Sequence, residues 1–184
     1  MKGRWVWILG AAIVAGALVQ MGRDIVRASV DWSSMGPLPP GSEAPAFAVR
    51  RLDGGAFGPE QLQGRVSVVT FWATWCPACR SELGDLDELD DRYAGRAEVQ
   101  FLAVNQEGAP PPEAWARARG YVAEAGVQLP VAVDNGSMAR TFRVGPIPHT
   151  VVFDRSGTVR HVHQGRVSNG TIADEIEDLL RESP

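Results

Sequence analysis

The chain has 184 residues, 45% of them hydrophobic, and carries 18 Lys and Arg against 22 Asp and Glu for a formal charge of −4. That length suits one well-cored domain with an appendage, and the acidic balance, with no basic stripe, sets nucleic acid aside as a partner. The 2 cysteines are too few for a disulfide framework, and with no second pair they do not make a four-ligand zinc site.

Lys2 and Arg4 precede an apolar stretch, Trp5 to Gly22, interrupted only by Gln20. As a helix this stretch rises about 27 Å, just short of a ~30 Å hydrocarbon core. Trp5 and Trp7 at one end and Arg23 at the other suit interfacial anchoring, and the basic N-terminus predicts that this end stays in the cytoplasm. Ala15-Gly16-Ala17 also fits a signal-peptidase site. The apolar run continues past it to Met21, so an uncleaved transmembrane anchor is expected. Gly36-Pro37-Leu38-Pro39-Pro40-Gly41 reads as a stiff spacer. The expected division is anchor and spacer over 1–36 and a folded domain over 37–184, on the side of the membrane where disulfide chemistry is permitted.

The alternation through Phe47 to Leu52, the Asp53-Gly54-Gly55 turn signal and Ala56-Phe57 predict a small N-terminal hairpin. Pro59 to Gly64 is a short turn into Val66 to Ala73, a β-branched and aromatic run that reads as a buried central strand. A helix follows the turn Thr74-Trp75-Cys76, with Leu83, Leu86, Leu89 and Tyr93 at helical spacing. Val99 to Val104 is a second buried strand, and strand, helix and strand of these lengths predict a right-handed parallel unit. Pro110-Pro111-Pro112 leads a helix through Trp115, Arg119 and Val122 to a Gly126 cap. Leu129 to Val133 is a short strand, and Ser137 is expected to cap a helix from Met138 to Phe142. Two strands around Asp154 to Gly157 predict a hairpin, and Thr171 to Arg181 a closing amphipathic helix with Ile172, Ile176, Leu179 and Leu180 on one face. The pattern is α/β: a central mixed sheet flanked by helices.

The chemistry concentrates at Cys76-Pro77-Ala78-Cys79. A Cys-x-x-Cys pair at a helix N-terminus meets free first-turn N–H groups and the positive end of the helix dipole, both of which stabilise a thiolate. Free thiols titrate near 8.5, whereas thiols in such motifs fall to roughly 3.5–7.5. Cys76, the outer residue, is the expected nucleophile. Cys79 lies one turn further in, on the face that Leu83 and Leu86 continue, and suits resolution of a mixed disulfide. Glu82 shares that face three residues on, and is expected to move a proton to or from Cys79; the alternative is a first-turn glutamate that merely complements the dipole. His161 and His163 point to one face of a strand, where a solvated edge is expected. His149 either tunes the site or simply packs. Trp72 and Trp75 are expected half in the core and half at the rim of the site.

Phe71-Trp72-Ala73-Thr74-Trp75-Cys76-Pro77-Ala78-Cys79-Arg80-Ser81-Glu82 resembles the active site of thioredoxin-fold proteins, and most closely the membrane-anchored extracytoplasmic TlpA, ResA and CcmG/DsbE types. Glu43-Ala44-Pro45-x-Phe47, Asp53-Gly54, Leu62-x-Gly64 and Val144-Gly145-Pro146-Ile147-Pro148-His149-Thr150 extend the likeness from Gly41 to the C-terminus, with Asn105 to Leu129 where that branch carries an inserted helix. The resemblance implies a thioredoxin fold and a cis bond before Pro148, facing the cysteines. Proline has no N–H, so a substrate strand could pair with Ile147 there, and Trp75 would line the same docking face. Thr70 stands where thioredoxins usually carry a buried acid, which leaves Glu82 as the acid of the motif.

The activity this implies is thiol:disulfide oxidoreduction outside the cytoplasm, with no cofactor beyond the Cys76–Cys79 couple, on disulfide-containing proteins such as those of cytochrome c maturation. Electrons would come from a membrane thiol transporter. Two rivals differ in class. A copper carrier would use Cys76, Cys79 and a histidine, but the longer Cys-x-x-x-Cys spacing of Sco-type chaperones is absent. A thioredoxin-fold peroxidase would need a proline at Val69 and a hydroxyl at Ala73.

Overall fold

In the computed structural model, which describes residues 15–21 and 36–182, the run Val66–Trp72 is a strand (β3) buried along its whole length. Val99–Asn105 (β4) lies parallel to it on one side, joined through the helix Pro77–Arg92 (α1), and His149–Phe153 (β6) lies antiparallel on the other. Both neighbours bury apolar side chains on each face, which is why these segments read as continuous hydrophobic runs. The expected hairpin forms from Val49–Arg51 (β1) and Ala56–Phe57 (β2), with Gly54 at φ 91° in its turn, a conformation that glycine adopts without steric cost. β1 also pairs with Val131–Val133 (β5), and Val159–Gln164 (β7) pairs with β6, giving one seven-stranded mixed sheet in the order β2-β1-β5-β4-β3-β6-β7.

The inserted helix, Pro111–Ala125 (α2), ends at Gly126 in the left-handed conformation, whose N–H closes on the Val122 carbonyl. Pro59–Leu62 is one turn of 3₁₀ helix. The short helix Ser137–Thr141 (α3) corrects one expectation: Ser137 is its first residue, and Asp134 is the group that caps it. The Asp134 carboxylate accepts the Met138 N–H at 3.0 Å and the Ala139 N–H at 2.9 Å. A carboxylate set back before the helix reaches two free N–H groups at once, where a serine hydroxyl reaches one.

The sheet carries a core on each face. On one, Leu83, Leu86 and Leu89 of α1 and Ile172, Ile176 and Leu179 of the last helix, Asn169–Arg181 (α4), pack on Val66, Val68, Phe101 and Val152. On the other, Leu62, Val69, Phe71, Leu102, Met138, Phe142, Val151 and Phe153 form a second layer. Phe142 is its centre, with ring centroids 5.1 Å from Phe47, 5.4 Å from Phe71 and 6.1 Å from Phe153.

The chain divides into two units, Met1–Met35 and Gly36–Pro184. Of the apolar stretch expected to span a membrane, residues 15–21 are described, as helix; the remainder lies outside the described residues. Among the described residues no helix is long and apolar enough to cross a membrane.

Candidate active site

Cys76 is the N-cap of α1 and Pro77 its first residue, a place where proline's missing N–H costs nothing. The two cysteines form a disulfide with Cα atoms 5.2 Å apart. Cys76 Sγ accepts the Cys79 N–H at 3.2 Å, so the free N–H of the first turn is aimed at the sulfur that becomes a thiolate on reduction. Cys76 is 6% exposed and Cys79 1%, and the residues around the outer sulfur, Trp75 at 62% exposure with Pro77 and Ala78, open to solvent.

The Ile147–Pro148 bond is cis, as the resemblance implied. Pro148 is buried, Ile147 half-buried and Pro146 exposed. The Ile147 carbonyl oxygen lies 3.8 Å from Cys76 Sγ; a disulfide sulfur has no proton to donate, so this is a close approach of chain to thiol site. β6 starts at His149, which leaves Ile147 beyond the last sheet pairing.

Glu82 is 1% exposed. Its Oε1 accepts the Thr150 hydroxyl at 2.8 Å and the Thr70 hydroxyl at 3.2 Å, and its Oε2 accepts the Val167 N–H at 2.9 Å. The two hydroxyls are themselves 2.8 Å apart. Thr70, standing where a buried acid is usual, supplies a donor to the acid that arrives instead from α1. Thr150, opposite Thr70 in the β3–β6 pairing, is a site residue that the sequence reading quoted without assigning a role.

Glu107 was missed altogether. It follows β4, is buried, and accepts the Thr74 N–H at 3.2 Å, the Thr74 hydroxyl at 2.5 Å and the Asn105 side-chain amide at 3.3 Å. Arg117 of the inserted helix stands 3.6 Å away. Gln106 N–H donates to the Trp72 carbonyl at 2.7 Å, so the post-β4 loop holds the Trp72–Cys76 turn at two places. Burial pushes the Glu107 carboxyl up, but its hydrogen bonds from Thr74 and Asn105 and the Arg117 charge outweigh it and leave the group below its ordinary value. A carboxylate two residues after a buried strand was the only signal available.

The remaining expectations divide. Trp72 is fully buried, 5.3 Å from the Tyr121 ring, because it sits inside β3; only Trp75 forms the rim. His149 is fully buried against Phe71, on the sheet face opposite α1, and burial lowers its pKa to about 4. His161 and His163 do share a face, stacked at 6.5 Å, but both face Glu175 of α4, His161 Nδ1 at 3.4 Å and His163 Nε2 at 3.0 Å. The solvated edge is therefore replaced by a clasp between β7 and α4. Among the described residues no group of three or more His, Cys, Asp and Glu is placed to hold a metal ion.

The family model described as AhpC/TSA family matches residues 40–162. Thiol-disulfide oxidoreductase ResA of Bacillus thuringiensis (strain Al Hakam) is 32% identical over 120 residues, 65% of this chain and 66% of that protein. Thioredoxin-like protein YneN of Bacillus subtilis (strain 168) is 26% identical over 137 residues, 74% of this chain and 78% of its own. A thiol:disulfide interchange protein, thioredoxin family protein, from Chlorobium tepidum TLS has a crystal structure that superposes with a TM-score of 0.63 at 28% identity, covering 79% of this chain and 99% of that one. The sheet and its helices are a thioredoxin fold. The chain spans just under two thirds of the ResA relative's length, at 66%.

Proposed function

The chain belongs to the AhpC/TSA family, and on that premise we propose that it is an extracytoplasmic thiol:disulfide oxidoreductase that reduces protein disulfides. The observation that carries this reading is the Cys76–Cys79 couple at a helix N-terminus, with Cys76 bordered by the exposed Trp75, Pro77 and Ala78 and Cys79 fully enclosed. Relatives named thiol-disulfide oxidoreductase support it.

In the reductive direction Cys76 thiolate attacks one sulfur of a substrate disulfide, forming a mixed disulfide and expelling the other substrate sulfur as a thiolate. Cys79 then attacks Cys76 Sγ, closing the Cys76–Cys79 disulfide and releasing the second substrate thiolate. Two electrons pass to the substrate, and the Cys79 proton passes to Glu82, one helical turn away on the same face of α1. The Ile147 backbone ahead of the start of β6 offers an extended substrate segment a place to pair, with Trp75 as an apolar rim. Oxidised protein would be returned to the dithiol by a thiol donor in the membrane, and the apolar stretch Trp5 to Gly22 would hold the domain beside that donor on the extracytoplasmic side. Cytochrome c maturation is the assembly process the resemblance favours.

The deciding measurement is the reduction potential of Cys76–Cys79 in the full chain, by thiol trapping in dithiol buffers. A value near or below about −230 mV, in the range of glutaredoxins and thioredoxin, fits a reductant; a value near about −120 mV, like DsbA, would make the protein an oxidant and overturn the direction proposed. Glu82→Gln is expected to slow resolution by about 10²-fold, the lower end of what a positioned proton acceptor contributes.

A further inference from the structure

β6 and β7 are antiparallel neighbours, and their register sets Thr150 directly opposite His163. Side chains so opposed have Cβ atoms roughly 4.5–5.5 Å apart on one face of the sheet. Thr150 is the residue whose hydroxyl lies 2.8 Å from Glu82, so His163 is one residue removed from the buried carboxylate, on its own side of the sheet. On its other side the His163 ring is gripped by Glu175 of α4, with Nε2 3.0 Å from Oε1 and 3.1 Å from Oε2. A line of polar groups leads to the buried carboxylate: Glu175, His163, Thr150, Glu82.

We infer that His163, held by Glu175, is a positioning residue for Glu82: as a cation it keeps Glu82 in the carboxylate form that accepts the Cys79 proton, and on losing its own proton it withdraws that support. The inference rests on the disulfide-exchange reading above and adds to it a pH-sensing element on the outer strand. The charged and titratable groups that face His163 are Glu175 from α4, Glu82 from α1 and His161 along its own strand. The Glu175 hydrogen bond raises its pKa above the ordinary histidine value against the opposing effect of burial, and the Glu175 and Glu82 charges add to the rise. Coupling of this kind is reciprocal: if Glu82 stabilises the imidazolium, the imidazolium stabilises the Glu82 carboxylate.

Two measurements on the full chain test it. The His163 ring is titrated by NMR in the wild type and in Glu82→Gln; a downward move of its midpoint in the variant is expected, and an unmoved midpoint would overturn the coupling. This readout needs no disulfide exchange, so it stands apart from failure of the activity itself. The second follows resolution by the slow phase of thionitrobenzoate release when the reduced protein meets an aromatic disulfide reagent, across pH. The wild-type rate should show an inflection at the His163 midpoint. His163→Gln should lose that inflection, and Glu175→Gln, which leaves the ring in place, should move it to lower pH. A structural clasp alone would change the thermal midpoint of these variants and leave the shape of the rate profile intact, and profiles superimposable on the wild type would sink the proposal.

Discussion

His149 and Thr150 are consecutive residues of β6, and the pleat sends them to opposite faces of the sheet, into two kinds of burial. His149 enters the aromatic layer of Phe71 and Phe142. There its Nδ1 accepts the Gly145 N–H at 3.4 Å, while Nε2 has no hydrogen-bond partner among the described residues. Thr150 enters the other face, where it completes a set of donors around a carboxylate. An imidazole buried with one nitrogen already accepting an N–H and the other unpartnered is driven to its neutral form; the carboxylate on the other face is met by several donors. The difference separates a face filled by an aromatic layer from a face whose core encloses a buried carboxylate and the Cys76–Cys79 couple.

That separation is open to attack from its strongest side first. Phe142→Ala removes the centre of the aromatic layer and is expected to cost about 3–5 kcal/mol in urea unfolding, while the reduction potential of the folded protein stays where it was. A potential that moved with it would mean the two faces are coupled. His149 comes next. Its folded pKa of about 4 lies below its unfolded value of about 6.5, so the unfolded chain takes up the proton first as pH falls. Its contribution is complete above pH 6.5 and is lost between 6.5 and about 4, amounting to about 3 kcal/mol. His149→Leu should remove that share of the acid sensitivity, read as a smaller drop in unfolding free energy from pH 7.5 to 4.5. His163, with its pKa raised, has the opposite sign: its contribution is present below pH 6.5 and fades as pH rises through the raised value.

Glu107 lies between these cases, since it is buried and fully partnered yet serves the turn before Cys76. Glu107→Ala should cost about 2–3 kcal/mol by stranding the Thr74 N–H and hydroxyl. Because its folded pKa is lowered, its support is present above its unfolded value and lost as pH falls through the folded one, so the gap between wild type and variant should narrow in acid. The smallest effect expected is that of Thr150→Val, about 1 kcal/mol for one hydrogen bond, with resolution slowed severalfold. A Thr150→Val protein with wild-type resolution would show that the donors around Glu82 are structural only.

How much of this was legible in the sequence depends on how far apart the partners lie. The N-terminal hairpin, the helix after the cysteines and the face shared by Cys79 and Glu82 are local, and periodicity with a turn signal at Asp53-Gly54 was enough to place them. Glu107 bonds to Thr74 across 33 residues, and Glu82 to Val167 across 85. No period links such pairs; they meet because β3, β4 and β6 are neighbours and because α4 returns beside α1. The same holds for His163, whose spacing from His161 gave the shared face but could not bring Glu175 over it. The cap of α3 failed for a different reason. Ser137 suits a helix start but lies inside α3, and Asp134, three residues earlier, is the group that reaches its free N–H groups.

The sheet ends in two unlike margins, and both are blunted. β2 has only two residues. β7, the margin beyond the thiol site, is covered at its start by Gly41 to Glu43, which bond to Val159 and bridge to Thr158, and continues as Arg160, His161, Val162, His163 and Gln164 with an irregular register at Val152 and Phe153. Charged and imidazole side chains along an outer strand, with a break in its regularity, deny a second chain the flat template that strand-by-strand aggregation needs. If, as proposed, backbone beside Ile147 receives extended substrate strands, the same invitation is withheld along the flank, and strand pairing is confined to the opening that leads to Cys76.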